Sequence, residues 1–191
     1  MLLRNEGRDA SGTLRFSDVA MATGADTIKD GRGMATADFD NDGDLDIVIN
    51  NNPGDSGRAE LARATLLRNN VGATRNWLAV ELVGTKSNRD GVGAQVTIET
   101  GDEKQLRLVS AGSGFASQHS ARLYFGLGTR EQADALVVRW PTGRVERFEQ
   151  VGGQPIGARR LVRVTEGEGI ELTSLPARRS PATGVQLAAA K

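Results

Sequence analysis

Residues 38–46 read Asp-Phe-Asp-Asn-Asp-Gly-Asp-Leu-Asp, five carboxylates at alternate positions around one glycine. Two ionised carboxylates about 4 Å apart repel by roughly 4 kcal/mol at an effective dielectric near 20, so a loop that folds them together needs a compensating charge. Calcium suits the pattern, because it takes about six to eight oxygen ligands and mixes carboxylates with backbone carbonyls. A tight loop turns Asp38, Asp40 and Asp42 inward, Gly43 permits the sharp turn, the Asp44 carbonyl points in, and Asp46 closes the shell. An EF-hand is excluded: its twelfth position is Ile49, and Leu45, Ile47 and Ile49 alternate as a strand does. Magnesium fits less well, since its octahedral shell usually retains several waters. A solvated acidic turn that binds nothing is the plain alternative, and the five-fold alternation around a glycine argues against it. A shell filled by protein ligands leaves little room for substrate, so the expected ion is a structural staple rather than a catalyst.

Catalytic constellations are scarce elsewhere. His119, the only histidine, lies in Ser117-Gln118-His119-Ser120. A nucleophilic triad needs a serine within reach of the imidazole and an acid to orient it. No G-x-S-x-G elbow is present, so a satisfied turn histidine is the expectation and no catalytic residue is assigned. Gly112-Ser113-Gly114 lacks the following helix and lysine of a phosphate-cradling loop and reads as a bulge or tight crossing between strands. Ser87-Asn88-Arg89-Asp90-Gly91 reads as a structured turn with Gly91 at positive φ, and a ligand role for Asn88, Arg89 and Asp90 stays open. Trp77 and Trp140 stand at strand ends inside apolar patterns, which favours packing over sugar stacking.

The elements that must position these groups are strands. The chain has 191 residues, 24 glycines, no cysteine and formal net charge zero. Abundant glycine with few aromatics points to tight turns and an all-β chain, and the charge balance calls for neither nucleic acid nor membrane insertion. Without cysteines the redox compartment is unreadable. No apolar run approaches the roughly 18 residues of a membrane span. Leu2-Leu3-Arg4-Asn5 recurs as Leu66-Leu67-Arg68-Asn69, the mark of a repeat array that needs about three or more units to bury a core. From Trp77 onward, alternation predicts six or seven strands. Leu78, Val80 and Leu82 lie opposite Ala79 and Glu81; Ala94, Val96 and Ile98 lie opposite Gln95, Thr97 and Glu99; Leu106 and Leu108 share one face. Further strands are expected at 123–127, 136–140, 145–148 and 161–165, with Pro141-Thr142-Gly143-Arg144 as a hairpin turn. Residues 171–191 read as a disordered tail.

The acidic loop resembles the FG-GAP repeat of integrin-like (VCBS-type) propellers, whose D-x-D-x-D-G-x-x-D segment holds calcium between strands of a blade. Phe16-Ser17-Asp18-Val19 and the Leu-Leu-Arg-Asn segments resemble its flanking consensus. The second half resembles the ASPIC/UnbV domain of the cartilage acidic protein-like family. The carrying motifs are Asn76-Trp77-Leu78, the run 87–94, the run 112–118, Phe125-Gly126-Leu127-Gly128 and Trp140-Pro141-Thr142-Gly143. The resemblance implies a partial propeller segment over 1–74, a β-sandwich-like domain over 75–170 and a tail over 171–191. It implies Ca2+ as the cofactor, held by Asp38, Asp40, Asp42, Asp44 and Asp46. It further implies a secreted, periplasmic or cell-surface binding or adhesion-type module that acts on a protein or glycan ligand. Upstream blades and a signal sequence in a longer protein are expected with it. The alternative is an accessory enzyme or factor of enediyne-type secondary metabolism, because UnbV-like proteins occur near such pathways.

Overall fold

The computed structural model describes residues 1–53 and 59–175. The chain opens with the hairpin β1 (Leu3–Arg8) and β2 (Leu14–Asp18), then a single turn of helix, α1 (Ala20–Thr23). A three-stranded antiparallel sheet follows in the order β3-β4-β5, from Asp30–Ala37, Asp46–Asn52 and Thr65–Leu67. The acidic loop is the connection between β3 and β4.

From residue 76 on, two four-stranded sheets pack face to face. One runs β12-β11-β7-β8, from Val145–Phe148, Ala135–Arg139, Gln95–Thr100 and Glu103–Leu108. The other runs β16-β15-β6-β9, from Gly169–Thr173, Arg160–Thr165, Asn76–Val83 and Leu123–Gly128. A small third sheet, from β10 (Gln132–Ala133), β13 (Gln150–Val151) and β14 (Gln154–Gly157), closes one end. Between the two large sheets lies one core that includes Leu78, Val80, Val96, Ile98, Phe125, Leu136, Val138, Trp140 and Val162. Each aliphatic or aromatic side chain buried there contributes about 1.5–3 kcal/mol, the main force that holds the sandwich shut. The architecture is all-β and sandwich-like, as the alternating pattern implies.

The expected turn at 141–144 forms: Gly143 N donates to the Trp140 carbonyl and Trp140 N to the Arg144 carbonyl. Trp140 is a core residue whose indole N–H donates to Glu146 Oε2 at 2.6 Å. The expected turn at 87–91 forms as well. Asn88 both donates to and accepts from the Val92 backbone, and Gly91 sits at φ 64° with its Cα against Leu82.

Two readings gain detail and two need correction. β6 is buried on both faces: Trp77, expected to pack, is 7% exposed, and Ala79 is as fully buried as Leu78 and Val80. The face of Trp77 and Ala79 is covered by Leu45 of the acidic loop and by Leu175. Leu106 and Leu108 share a face of β8 as expected; it is the outer one, and they are 63% and 57% exposed. The tail does not begin at residue 171: β16 runs to Thr173 on the sandwich edge and Leu175 packs against Trp77 and its neighbours. The remainder of that reading, 176–191, lies outside the described residues. Gly112-Ser113-Gly114 is no strand bulge; it belongs to a loop whose Phe115 and Ala116 carbonyls lie against Gly33 of β3.

Candidate functional site

Local rules shape the acidic loop. Asn41 takes a left-handed φ of 58° and Gly43 one of 101°, which lets the chain reverse within five residues of leaving β3. Asp38 anchors the bend. Its Oδ1 accepts from Asp42 N at 3.0 Å and its Oδ2 from Gly43 N at 3.0 Å. Asp46, buried at the start of β4, is the second anchor. Its Oδ2 accepts from Phe39 N at 3.0 Å and its Oδ1 from Asn69 N at 2.8 Å. Burial pushes the Asp46 carboxyl up, the two amides pull it back, and the charges of Asp40 and Asp42 push it up further.

Of the five expected ligands, three come together. Asp38, Asp40 and Asp42 each present a carboxylate oxygen within 4.8 Å of the others, a set of hard oxygen donors that suits calcium. Asp44 and Asp46 stand outside that triad. Asp44 is buried with its side chain against Gly72, and Asp46 uses its oxygens on the two backbone amides. Arg68, just past β5, supplies a cation of the protein's own, 2.6 Å from Asp40 Oδ2 and 3.6 Å from Asp42 Oδ2.

The loop rests directly on the sandwich. A Cβ on Gly43 would fall 1.9 Å from Trp77 Cε2, so the glycine is required by the indole beneath it as well as by the turn. Beside it, Tyr124 on β9 donates its hydroxyl to Asp38 Oδ2 at 3.0 Å, and its ring centroid lies 6.2 Å from that of Trp77. Burial, with the neighbouring Asp38 charge, pushes the phenol well above its ordinary range. Arg122 donates to the Tyr124 oxygen at 3.2 Å and forks onto Glu81, which also holds Arg163. A continuous hydrogen-bonded line therefore runs from the loop across the outer face of the sheet. That line floors an open groove of about 790 Å³ on the same face. Arg89 and Asp90 line the groove and Asn88 does not.

His119 is held, but not by its own turn. Its Nδ1 accepts from Thr36 N of β3 at 3.1 Å, and Ser120 N donates to the Thr36 carbonyl. Ser117 donates its hydroxyl to the Ser113 carbonyl. The histidine and the serine thus stitch the 110–122 loop, the histidine onto β3 and the serine onto itself. Sequence reasoning missed Glu166. Its carboxylate accepts from the Thr85, Lys86 and Ser87 amides and from the Ser87 and Thr142 hydroxyls, tying three loops together. Burial works to raise this carboxyl; the amides and hydroxyls overcome it and bring it down to about 2. Nothing local marks Glu166, because its backbone partners lie some eighty positions upstream and Thr142 lies 24 upstream.

Residues 84–171 match the family model described as ASPIC and UnbV. The chain is 32% identical over 116 residues to cartilage acidic protein 1 of Mus musculus, which covers 60% of this chain and 17% of that protein. It is 33% identical over 119 residues to the Xenopus tropicalis protein of the same name and 31% over 125 residues to that of Homo sapiens. This chain thus spans 17% to 18% of the length of these curated relatives.

Proposed function

We propose that this chain, whose residues 84–171 carry the ASPIC/UnbV match, is a calcium-dependent, non-catalytic binding module of the extracellular space. In this reading calcium is held by Asp38, Asp40 and Asp42, with the Asp44 carbonyl and water filling the rest of a shell of about six to eight oxygens. The ion fastens an FG-GAP-type blade segment onto the sandwich. The observation that carries the reading is the convergence of three carboxylate oxygens within 4.8 Å on a loop already clasped by Trp77 and Tyr124. Such a cluster is costly by like-charge repulsion unless a cation neutralises it. Arg68 already places one positive charge beside the triad, at Asp40 and Asp42. The name of the relatives places them in cartilage, a tissue dominated by extracellular matrix, which supports a site of action where free calcium is plentiful.

Binding of a protein or glycan ligand belongs to the groove over Glu81, Arg122 and Arg163, with Arg89 and Asp90 at its rim. The non-catalytic part of the reading is supported by His119 and Ser117, whose hydrogen bonds hold loop structure, the one on Thr36 and the other on Ser113. Isothermal titration and thermal melting with calcium against chelator test the ion. At free calcium near 100 times the dissociation constant, linkage gives about 2.7 kcal/mol of stabilisation. Asp40→Asn and Asp42→Asn are expected to remove most of that shift, and magnesium to produce little of it. A melt that calcium leaves unmoved in the wild type refutes the reading.

A further inference from the structure

We infer that the cavity at the start of β15 is a binding site for a phosphate or sulfate monoester, apart from both the acidic loop and the groove over Glu81. The cavity measures about 350 Å³ and is lined by Arg159, Arg160, Leu161 and residues 172–175. It shares no lining residue with the groove. No aspartate or glutamate borders it, so the charge of its two guanidinium groups is not cancelled along its wall. The groove is built the other way. There Glu81 holds Arg122 and Arg163, and Arg163 also lies 3.6 Å from Glu171.

Arg159 takes a left-handed φ of 57°, a conformation that residues with a β-carbon rarely adopt. Its amide donates to the Trp77 carbonyl at 2.7 Å, and its Nε and Nη2 donate to Asn76 Oδ1 and the Thr74 carbonyl at 3.0 and 3.4 Å. These contacts hold the strained backbone and fix the guanidinium before any ligand arrives, which lowers the cost of binding. Arg160, the first residue of β15, has neither an ion pair nor a side-chain hydrogen bond among the described residues. The hydroxyls of Thr173 and Ser174 are likewise without a partner among the described residues. Two forked cations and two hydroxyls thus line one cavity with hydrogen-bond donors. A phosphate or sulfate ester presents three terminal oxygens that receive them from different directions, where a carboxylate offers two in one plane. Leu161, Leu172 and Leu175 supply an apolar side, with Leu172 46% exposed, which favours an oxyanion borne on an organic group over the free ion.

The probe is phenyl phosphate, titrated into the isotope-labelled full chain in calcium-free buffer at fixed ionic strength and followed by NMR of the amides and the arginine Nε–H groups. Saturable shifts at Arg159, Arg160 and residues 172–175 are expected, with none at Glu81 or Arg163. Arg160→Gln is expected to weaken binding by about tenfold or more, as loss of a charge-assisted contact does. Arg160→Lys keeps the charge but not the fork and is expected to fall between the two. Arg147→Gln, on the other large sheet, leaves binding unchanged. Phenyl sulfate is expected to compete with the probe, while benzoate and inorganic phosphate bind more weakly, the one for want of a third oxygen and the other for want of an apolar part. Shifts that do not saturate, equal binding by Arg160→Gln and the wild type, or shifts centred on the groove overturn the inference. Benzoate that binds as tightly as the probe overturns the tetrahedral assignment, and inorganic phosphate that does so overturns the ester. The site shares no residue with Asp38, Asp40 and Asp42, so it and the calcium reading fail separately.

Discussion

Replacement of Gly43 by alanine tests the seat of the acidic loop, because its effect divides into two parts that a second substitution separates. The first is backbone strain: φ of 101° costs a β-carbon-bearing residue about 1–2 kcal/mol. The second is overlap. The new methyl would lie 1.9 Å from Trp77 Cε2, 2.1 Å from Nε1 and 2.3 Å from Cζ2, so indole or loop must move. Trp77 is 7% exposed and has no room to swing freely, and forced repacking of this kind costs about 1–3 kcal/mol. Gly43→Ala is therefore expected to lose about 2–5 kcal/mol, a large share of the roughly 5–15 kcal/mol that holds a domain folded. In a Trp77→Leu background the overlap is gone and only strain remains, so the same change is expected to cost about 1–2 kcal/mol. The difference is a coupling of about 1–3 kcal/mol, read by urea unfolding of the four proteins in saturating calcium with far-ultraviolet circular dichroism. A coupling near zero refutes the claim that the loop sits on the indole. So does an alanine variant as stable as the wild type.

Tyr124→Phe keeps the packing on Trp77 but removes the hydroxyl that donates to Asp38. The expected loss is about 1–3 kcal/mol by urea denaturation, largely absent when Asp38 is already asparagine. Arg68→Met removes the cation beside Asp40 and Asp42. Because that guanidinium is 37% exposed, stability in chelator is expected to fall by only about 1 kcal/mol, while the thermal shift on adding calcium grows. A shift that stays the same or shrinks counts against Arg68 as a partial substitute for the ion. Glu166 is held at about 2, below its ordinary 4.5, so its contribution is complete above pH 4.5 and is lost as the pH falls through 2. Acid titration of Glu166→Gln is expected to show a flatter loss of stability over that window than the wild type. Hydrogen exchange at Thr85, Lys86 and Ser87 should be faster in Glu166→Ala at neutral pH.

What the sequence discloses and what it conceals divide along the range of the interactions. The strands at 123–127, 136–140 and 145–148, and the turn at Trp140-Pro141-Thr142-Gly143, rest on alternation and turn chemistry within a few residues. They appear close to where they are expected. The parallel pairing of β6 with β15, Leu78 opposite Arg160 through Val83 opposite Thr165, has no local signature, since nothing near Leu78 announces a partner some eighty residues on. The double-sided burial of β6 is hidden for a related reason: Ala79 reads as a weakly apolar surface residue until the acidic loop and Leu175 cover it. The exposure of Leu106 and Leu108 has a different origin. Period-two patterning identifies which residues share a face but not which face meets the core, and on an edge strand beside Val96 and Ile98 the choice falls the other way. The short strands β13 and β14 carry too few residues for any alternation to register.

The five aspartates illustrate the same division inside a single motif. The sequence already divides them, with Asp44 offering its carbonyl and Asp46 closing the shell, and the structure divides their work further. Asp38 and Asp46 stand at the ends of the loop, where β3 and β4 fix the backbone. There a buried carboxylate is best stabilised by amides, of which each accepts two, and Asp38 takes the Tyr124 hydroxyl in addition. Asp44 is turned toward Gly72, at the crossing between the loop and the segment leading into β6. Asp40 and Asp42 face Arg68 and, with one oxygen of Asp38, form the triad. A cation placed there acts on a bend whose ends are already fixed, so its binding energy goes into holding the bend closed against Trp77 and Tyr124 rather than into folding the bend. The sandwich therefore stands to gain from the ion as well as the loop. In urea unfolding of the wild type, run in calcium and again in chelator, a single transition in calcium that separates into two in chelator is the pattern this coupling requires. Two transitions in both conditions would show that the loop and the sandwich are merely neighbours.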